Sequence, residues 1–418
     1  MSKQITIRWR LGRFSWRRTF TALQYRNYRL WFWGQLISLF GSWMQAAAFG
    51  FLIFQLTHST AFLGLTGFVA GAPTWLFMLY AGVVADRVPR RRLMLFTQTS
   101  MMILAFIAAI LVFLNAARPW HILVLAFGFG LANAFDAPAR QAIVQELVED
   151  AEDMTNAIAL NSAMFNLATA VGPAVGGLIY AAFGPGWCFA VNGLSFIAVI
   201  AALLMMNLPP FAPRVHVTSA LADLKEGLRY VASHPLIRTI IALVGIVTLF
   251  AFSSVTLLPA WAVKILHGNA STNGFLQSAR GLGALASALL IAALGRFRFR
   301  GRLLSAGSLL FPVLLIVFAF IRSEALSYIF LMASGFALIL VFNLANAAVQ
   351  SLTPDALRGR VMSIYSFTFF GSMPIGALLV GTLAHKVGEP KAVVFNAAVT
   401  LIFATGIFFL MPKLRRMA

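Results

Sequence analysis

Charge is what this sequence has least of. Only 11% of its 418 residues are charged, where a soluble chain carries about 25%. The few charges are also lopsided: 32 Lys plus Arg stand against 12 Asp plus Glu, for a net charge of +20. A basic soluble chain would point to nucleic acid. Here the bases lie between apolar runs, so no nucleic-acid partner is expected. Cysteine occurs once, at Cys188. That excludes an intrachain disulfide and a multi-thiolate metal site. No Gly-Lys dipeptide occurs, which excludes the phosphate-binding loop and ATP hydrolysis by that route. His-Glu-x-x-His and Gly-x-Ser-x-Gly are missing too, and the six His fall in no ligand-like spacing. No metal, no cofactor and no enzyme built on these motifs is expected.

What the chain has is apolar length. Hydrophobic residues make up 60% of it. A helix crosses the hydrocarbon core with about 20 mostly apolar residues. Twelve stretches qualify: 30–56, 61–84, 93–115, 119–139, 155–182, 187–207, 238–262, 271–295, 303–321, 326–349, 360–385 and 391–411. They do not alternate as barrel strands would, and in lipid a helix satisfies its own backbone. The polar, basic residues 1–29 carry no cleavable signal pattern. The run after them exceeds the about 7–15 residues of a signal-peptide core, so it reads as a retained first span.

Basic residues favour the cytoplasmic side. Numbered alternately, the segments that include both termini hold 26 Lys or Arg, and the other set holds 6. Both termini are therefore expected in the cytoplasm. The longest connection, 208–237, divides the spans into two sets of six. In it Leu221, Leu224, Leu228 and Val231 recur at helical spacing among Asp223, Lys225, Glu226 and Arg229, which predicts an amphipathic helix on the inner surface. The expected organisation is a basic N-terminus (1–29), a six-helix bundle (30–207), a linker (208–237), a second six-helix bundle (238–412) and a short tail (413–418). A shift of 205 matches Gly130 to Gly335, Gln145 to Gln350, Leu147 to Leu352, Asp150 to Asp355, Ala151 to Ala356 and Gly176 to Gly381. The cluster Arg296, Arg298, Arg300 and Arg302 also follows span eight as Arg87 to Arg92 follow span two. Two repeated units with a path between them follow, as in many transporters.

Between spans two and three stands Gly82-x-x-x-Asp86-Arg87-x-x-Arg90-Arg91. With twelve spans, it resembles the loop motif of the major facilitator superfamily, though Pro89 stands where that family usually has Gly. Gly82 permits close approach of another helix. Asp86 can accept from the N-terminal amides of a neighbouring helix, whose dipole end is positive. The resemblance implies that this helix is span eleven, near Arg360, and that the contact latches the halves together at the cytoplasmic side. The alternative is a purely topogenic charge cluster. "GPAVGG", with Gly172, Pro173, Gly176 and Gly177 in span five, resembles the core of the exporters' Gly-Pro motif; Ala168 departs from its upstream glycines. The alternative is ordinary glycine packing around a proline kink. "FDAPARQA" at 135–142 and "RGRVMS" at 358–363 resemble the branch of the superfamily that holds the enterobactin exporter and other transmembrane secretion effectors. There Asp136 and Arg140, four residues apart, share a helix face. They read as a gating ion pair or as a site of proton coupling.

Ionisable groups inside spans are costly and usually functional. Span one has no acid but carries Gln35, Ser38, Ser42 and Gln45. Arg280 is the one base well inside a span. It could meet an anionic group of a substrate, pair with backbone carbonyls, or reach an interface. Asn161, Asn166, Asn343 and Asn346, with Gln35 and Gln45, are further candidates for lining a path. The expected function is proton-coupled export of a small amphipathic molecule, a siderophore or drug, by a monomer in a bacterial-type inner membrane, with lipid around it. Lysophospholipid translocation is the runner-up, and an integral-membrane enzyme the distant third.

Overall fold

The computed structural model describes residues 20–148, 150–208, 220–294 and 299–417. The first part of the basic N-terminus, residues 209–219 of the linker and Arg296 and Arg298 lie outside the described residues, as do the side chains of Leu221 and Asp223. Twelve apolar helices follow one another: Arg26–Thr57, Thr60–Arg87, Arg90–Phe113, Pro119–Ile143, Ala151–Phe183, Pro185–Met205, Pro235–Lys264, Ala270–Leu294, Arg300–Phe320, Glu324–Leu352, Asp355–Val387 and Glu389–Leu410. All twelve expected spans are present, and most run several residues past their apolar cores. Arg26, Asp355 and Glu389 tolerate this because they occupy first turns, where a side chain can reach the interface. The helices form two six-helix bundles, the arrangement expected of the major facilitator fold.

The bundles repeat each other down to their turns. Spans five and eleven both end on a glycine of positive φ, Gly184 at 89° and Gly388 at 88°. Each reverses the chain in a conformation that disfavours a side chain. Spans five and eleven also make equivalent crossings with the opposite bundle. A Cβ on Gly381 would lie 2.6 Å from the Gly64 Cα of span two, and one on Gly274 of span eight would lie 3.0 Å from the Gly177 Cα of span five. About two turns further in, Gly71 meets Pro374 and Gly281 meets Ala170. The partner position of Gly381 is therefore Gly177, one residue off the shift of 205 read from the sequence.

Both crossings lie toward the face opposite the basic loops. At the basic face, a Cβ on Gly82 of span two or Gly359 of span eleven would meet nothing within 4 Å. In this conformation Gly82 hosts no close helix approach, contrary to expectation. The halves meet at one face and stand apart at these positions of the other.

Span seven is not one regular helix. Its α-helix stops at Ile246, passes through a π turn at Val247–Ala251 and a 3-10 turn at Phe252–Leu257, and resumes at Leu258–Lys264. The cause is tertiary. Gly376 of span eleven presses on the stretch, where a Cβ would sit 2.2 Å from the Leu249 carbonyl oxygen. The Ser253 hydroxyl donates to the carbonyls of Thr248 and Leu249 at 2.7 and 2.8 Å, so the irregular backbone stays satisfied.

The linker helix spans Ala220–Ser233. It lies on the start of span eleven: Gly227 packs on the Arg360 carbonyl, and Glu226 pairs with Arg360 at 2.6 Å. Its covered face is Leu224, Gly227 and Val231, while Leu228 is exposed.

Valine at Gly381 would force spans two and eleven apart. Overpacking costs about 1–3 kcal/mol. In a Cys188→Ala background, maleimide labelling of Thr60→Cys, now fully buried beside Gly381, should speed up about tenfold with Gly381→Val. An unchanged rate would mean that the glycine crossing does not hold this face shut.

Candidate substrate path and charged sites

The glycine motif of span five divides its work between two neighbours. Gly172 and Gly176 face span one, where a Cβ would stand 2.7 Å from the Trp43 Cβ and 2.9 Å from the Met44 carbonyl oxygen. Gly177 faces span eight of the other bundle, 2.5 Å from the Ala270 carbonyl oxygen. Pro173 has no amide to give. The next amide, Ala174 N–H, donates to Ser278 Oγ of span eight at 2.9 Å. The motif thus fixes span five to its own bundle on one side and to the opposite bundle on the other.

The basic loop is held mostly within its own half. Arg90 is buried and pairs with Glu146 after span four. Arg91 donates to the Leu204 and Met206 carbonyls at 2.7 and 3.3 Å, covering the C-terminal end of span six. Arg87 is exposed and Asp86 half-buried.

Asp136 lies buried between spans three and four, 1% exposed. Its Oδ1 accepts from Thr97 Oγ1 at 2.8 Å and Gln98 Nε2 at 3.0 Å, and Arg140 Nε stands 3.7 Å from Oδ2. The sequence reading missed Thr97 and Gln98; their place one turn or so after the Arg cluster was the available signal. A carboxylate so enclosed ties two helices of one bundle together. Gln45 is likewise enclosed, accepting from Asn192 of span six at 2.8 Å, and Gln35 is 2% exposed. Neither glutamine lines an open path in this conformation.

Spans five and ten do present polar faces. On span five Asn161 and Asn166 are half-buried and Ser162 is exposed. On span ten Asn343 and Gln350 are exposed, and Asn346 accepts from Gln350 at 2.6 Å. An amide facing lipid would lose its hydrogen bonds to water, so these faces need an aqueous neighbour. Arg280 sits near the middle of span eight, half-buried, with its guanidinium carbon 5.6 Å from the centre of the Phe252 ring at the break in span seven. Among the described residues no cluster of His, Cys, Asp or Glu is arranged to hold a metal.

Removing the Asp136 acceptor should cost about 1–3 kcal/mol, because Thr97, Gln98 and Arg140 lose a buried partner. Asp136→Ala should lower the melting temperature of the detergent-purified protein by several degrees, and Asp136→Asn, which keeps an acceptor oxygen, by less. Equal melting of all three proteins would show that this carboxylate does not hold spans three and four together.

Comparison with known proteins agrees with this geometry. The family described as transmembrane secretion effector matches residues 17–418. The staphyloferrin A transporter of Staphylococcus aureus is 24% identical over 381 residues, covering 90% of this chain and 94% of that one. The multidrug efflux pump Tap of Mycolicibacterium fortuitum is 26% identical, covering 90% and 93%. The enterobactin exporter EntS of Citrobacter koseri is 27% identical, covering 97% of each. Among solved structures, a POT family transporter in complex with 5-aminolevulinic acid superposes with a TM-score of 0.74 at 14% identity, covering 93% of this chain and 96% of that one, a likeness of fold.

Proposed function

This chain belongs to the transmembrane secretion effector family of the major facilitator superfamily, and on that premise we propose that it exports a small amphipathic molecule, of siderophore or drug type, in exchange for protons. It is a multi-pass membrane transporter and not an enzyme, as its family and relatives are. The observation that carries the proposal is the pairing of one closed face with exposed polar walls. The glycine crossings shut the face opposite the basic loops, while the amides of spans five and ten stay accessible. Basic loops mark the cytoplasmic side. A carrier in this state is open toward the cytoplasm, the side from which an exporter loads, and the relatives' names support that direction. The names of the relatives, two siderophore carriers and a drug pump, support the substrate class.

Transport then proceeds by alternating access between the bundles. In the opposite state the basic face closes, and Asp86 meets the start of span eleven as the loop motif implies. Charge at a helix N-terminus contributes about 0.3–1 kcal/mol at an exposed site, enough to bias the two states without locking either. Asp136 and Arg140 act by holding span four, and proton coupling acts through the polar path. The working unit is a monomer.

Everted membrane vesicles containing the protein test this reading. Under an imposed proton gradient they should take up either a catecholate siderophore or a cationic dye, and a protonophore should abolish the uptake. Uptake of neither, with transport of a headgroup-labelled lysophospholipid instead, would replace the proposal by lipid translocation.

A further inference from the structure

Arg280 is the one base that lies half-buried near the middle of a span among the described residues. No carboxylate of the described residues lies within ion-pairing distance of it, and its Nε is sealed from solvent without an acceptor. An arginine at that depth costs about 2.5–3.5 kcal/mol even on the mildest insertion scales. Arg90, Lys264 and Arg360 pair with carboxylates near helix ends, and Arg91 and Arg322 with carbonyls there.

The cavity it lines has a consistent chemistry. Ser254, Trp261 and Ser334 share it with Arg280, and the remaining walls are apolar, among them Leu258, Leu315 and Leu338. Ser254 Oγ and Trp261 Nε1 are also buried without a partner. An indole N–H and a guanidinium N–H can only donate. A helical serine ordinarily returns its hydroxyl to the carbonyl one turn back, as Ser162 and Ser305 do here at 2.9 Å. Ser254, in the 3-10 stretch at Phe252–Leu257, does not. Three orphaned donors, one of them cationic, therefore line one apolar cavity. Spans seven and eight supply them, and they are donors in search of an acceptor of negative charge. A low dielectric strengthens such an interaction and excludes the water that would weaken it.

We propose that this cavity is an anion site in which Arg280, Ser254 and Trp261 hold one small monoanionic group. The group is either a carboxylate at one end of the transported molecule or a free halide that serves as the counter-ion of Arg280. In the carboxylate case the inference rests on the exporter reading; the site itself does not. An anion there would also bear on span seven at its irregular turn, where the two bundle-facing halves of that helix join.

The purified protein in detergent tests it with two probes, chloride and benzoate, against an isethionate background, with methyl benzoate as the uncharged control. Binding is read by intrinsic tryptophan fluorescence and by thermal shift. The wild type should bind one of the anions and not the ester. Arg280→Gln should abolish that binding. Ser254→Ala and Trp261→Phe keep the charge and remove one donor each, and should each weaken it about tenfold. Chloride binding without benzoate would identify a free counter-ion; benzoate binding identifies a substrate carboxylate. The proposal is overturned if neither anion binds the wild type better than Arg280→Gln, or if both donor variants bind as the wild type does. Vesicles that show no protonophore-sensitive uptake while benzoate binding persists would sink the exporter reading and leave the site standing. Intact uptake with no anion binding would do the reverse.

Discussion

Backbone packed against backbone is the contact on which this architecture depends. Gly64 against Gly381 and Gly177 against Gly274 bring helices of opposite bundles together with no side chain between them. In lipid the hydrophobic effect gives little drive for helices to associate, so close van der Waals approach must supply it. Such a contact is strong in sum and featureless in detail. It has no interdigitated side chains to unlock when the helices part. The hydrogen bonds described between the bundles are few and sit beside these crossings: Ala174 to Ser278, Ser271 to Gly177 and Asn273 to the Ala47 carbonyl, the last two long at 3.4 and 3.5 Å. An interface built this way can open with modest free energy, which the proposed rocking of the bundles would require.

The spans were legible because lipid leaves the chain so little choice. A stretch of some 20 apolar residues must be a helix, and even the miscounted residue in the internal repeat did no harm to the topology. The break in span seven was not legible. Val247 to Leu257 mixes apolar residues with Thr248, Ser253, Ser254 and Thr256, which regular spans also carry, and the π and 3-10 turns form where Gly376 packs from span eleven and Ser253 satisfies the exposed carbonyls. Gly376 is distant in sequence, so its contact could not be read from the stretch itself. Asp136 was visible as a lone acid, but its burial against Thr97 and Gln98 was not, because spans three and four had no marked register relative to each other. Gln35 and Gln45 show the same limit: a polar residue in a span announces itself, while the direction in which it points depends on neighbours.

Charge placement separates two kinds of ionic group. Arg90 with Glu146, Lys264 with Glu389, and Arg360 with Glu226 lie near helix ends, where water and headgroups reduce the cost of ionisation. Asp136 with Arg140 lies deeper, and there two hydrogen-bond donors share the carboxylate. Arg280 stands alone at mid-depth, on the ring of Phe252. The first kind secures loops and the second joins helices. The cost of Arg280 is offset within its own bundle only by the cation–π contact with Phe252, and by no carboxylate of the described residues.

The basic face can be read in the same terms. Arg90 and Arg91 spend their hydrogen bonds within the first bundle, on Glu146 and on the carbonyls of Leu204 and Met206. Arg360, at the start of span eleven, binds Glu226 of the linker helix, and Gly227 lets that helix rest on the span itself. The linker is therefore fastened to the helix end that the loop motif would engage when the basic face closes. Closure would bring Asp86 toward a site already sharing its space with Glu226, and two carboxylates at one helix end repel. Were the proposed latch to form there, the linker helix would have to shift. One ion pair and one glycine contact thus fasten the linker helix to the start of span eleven.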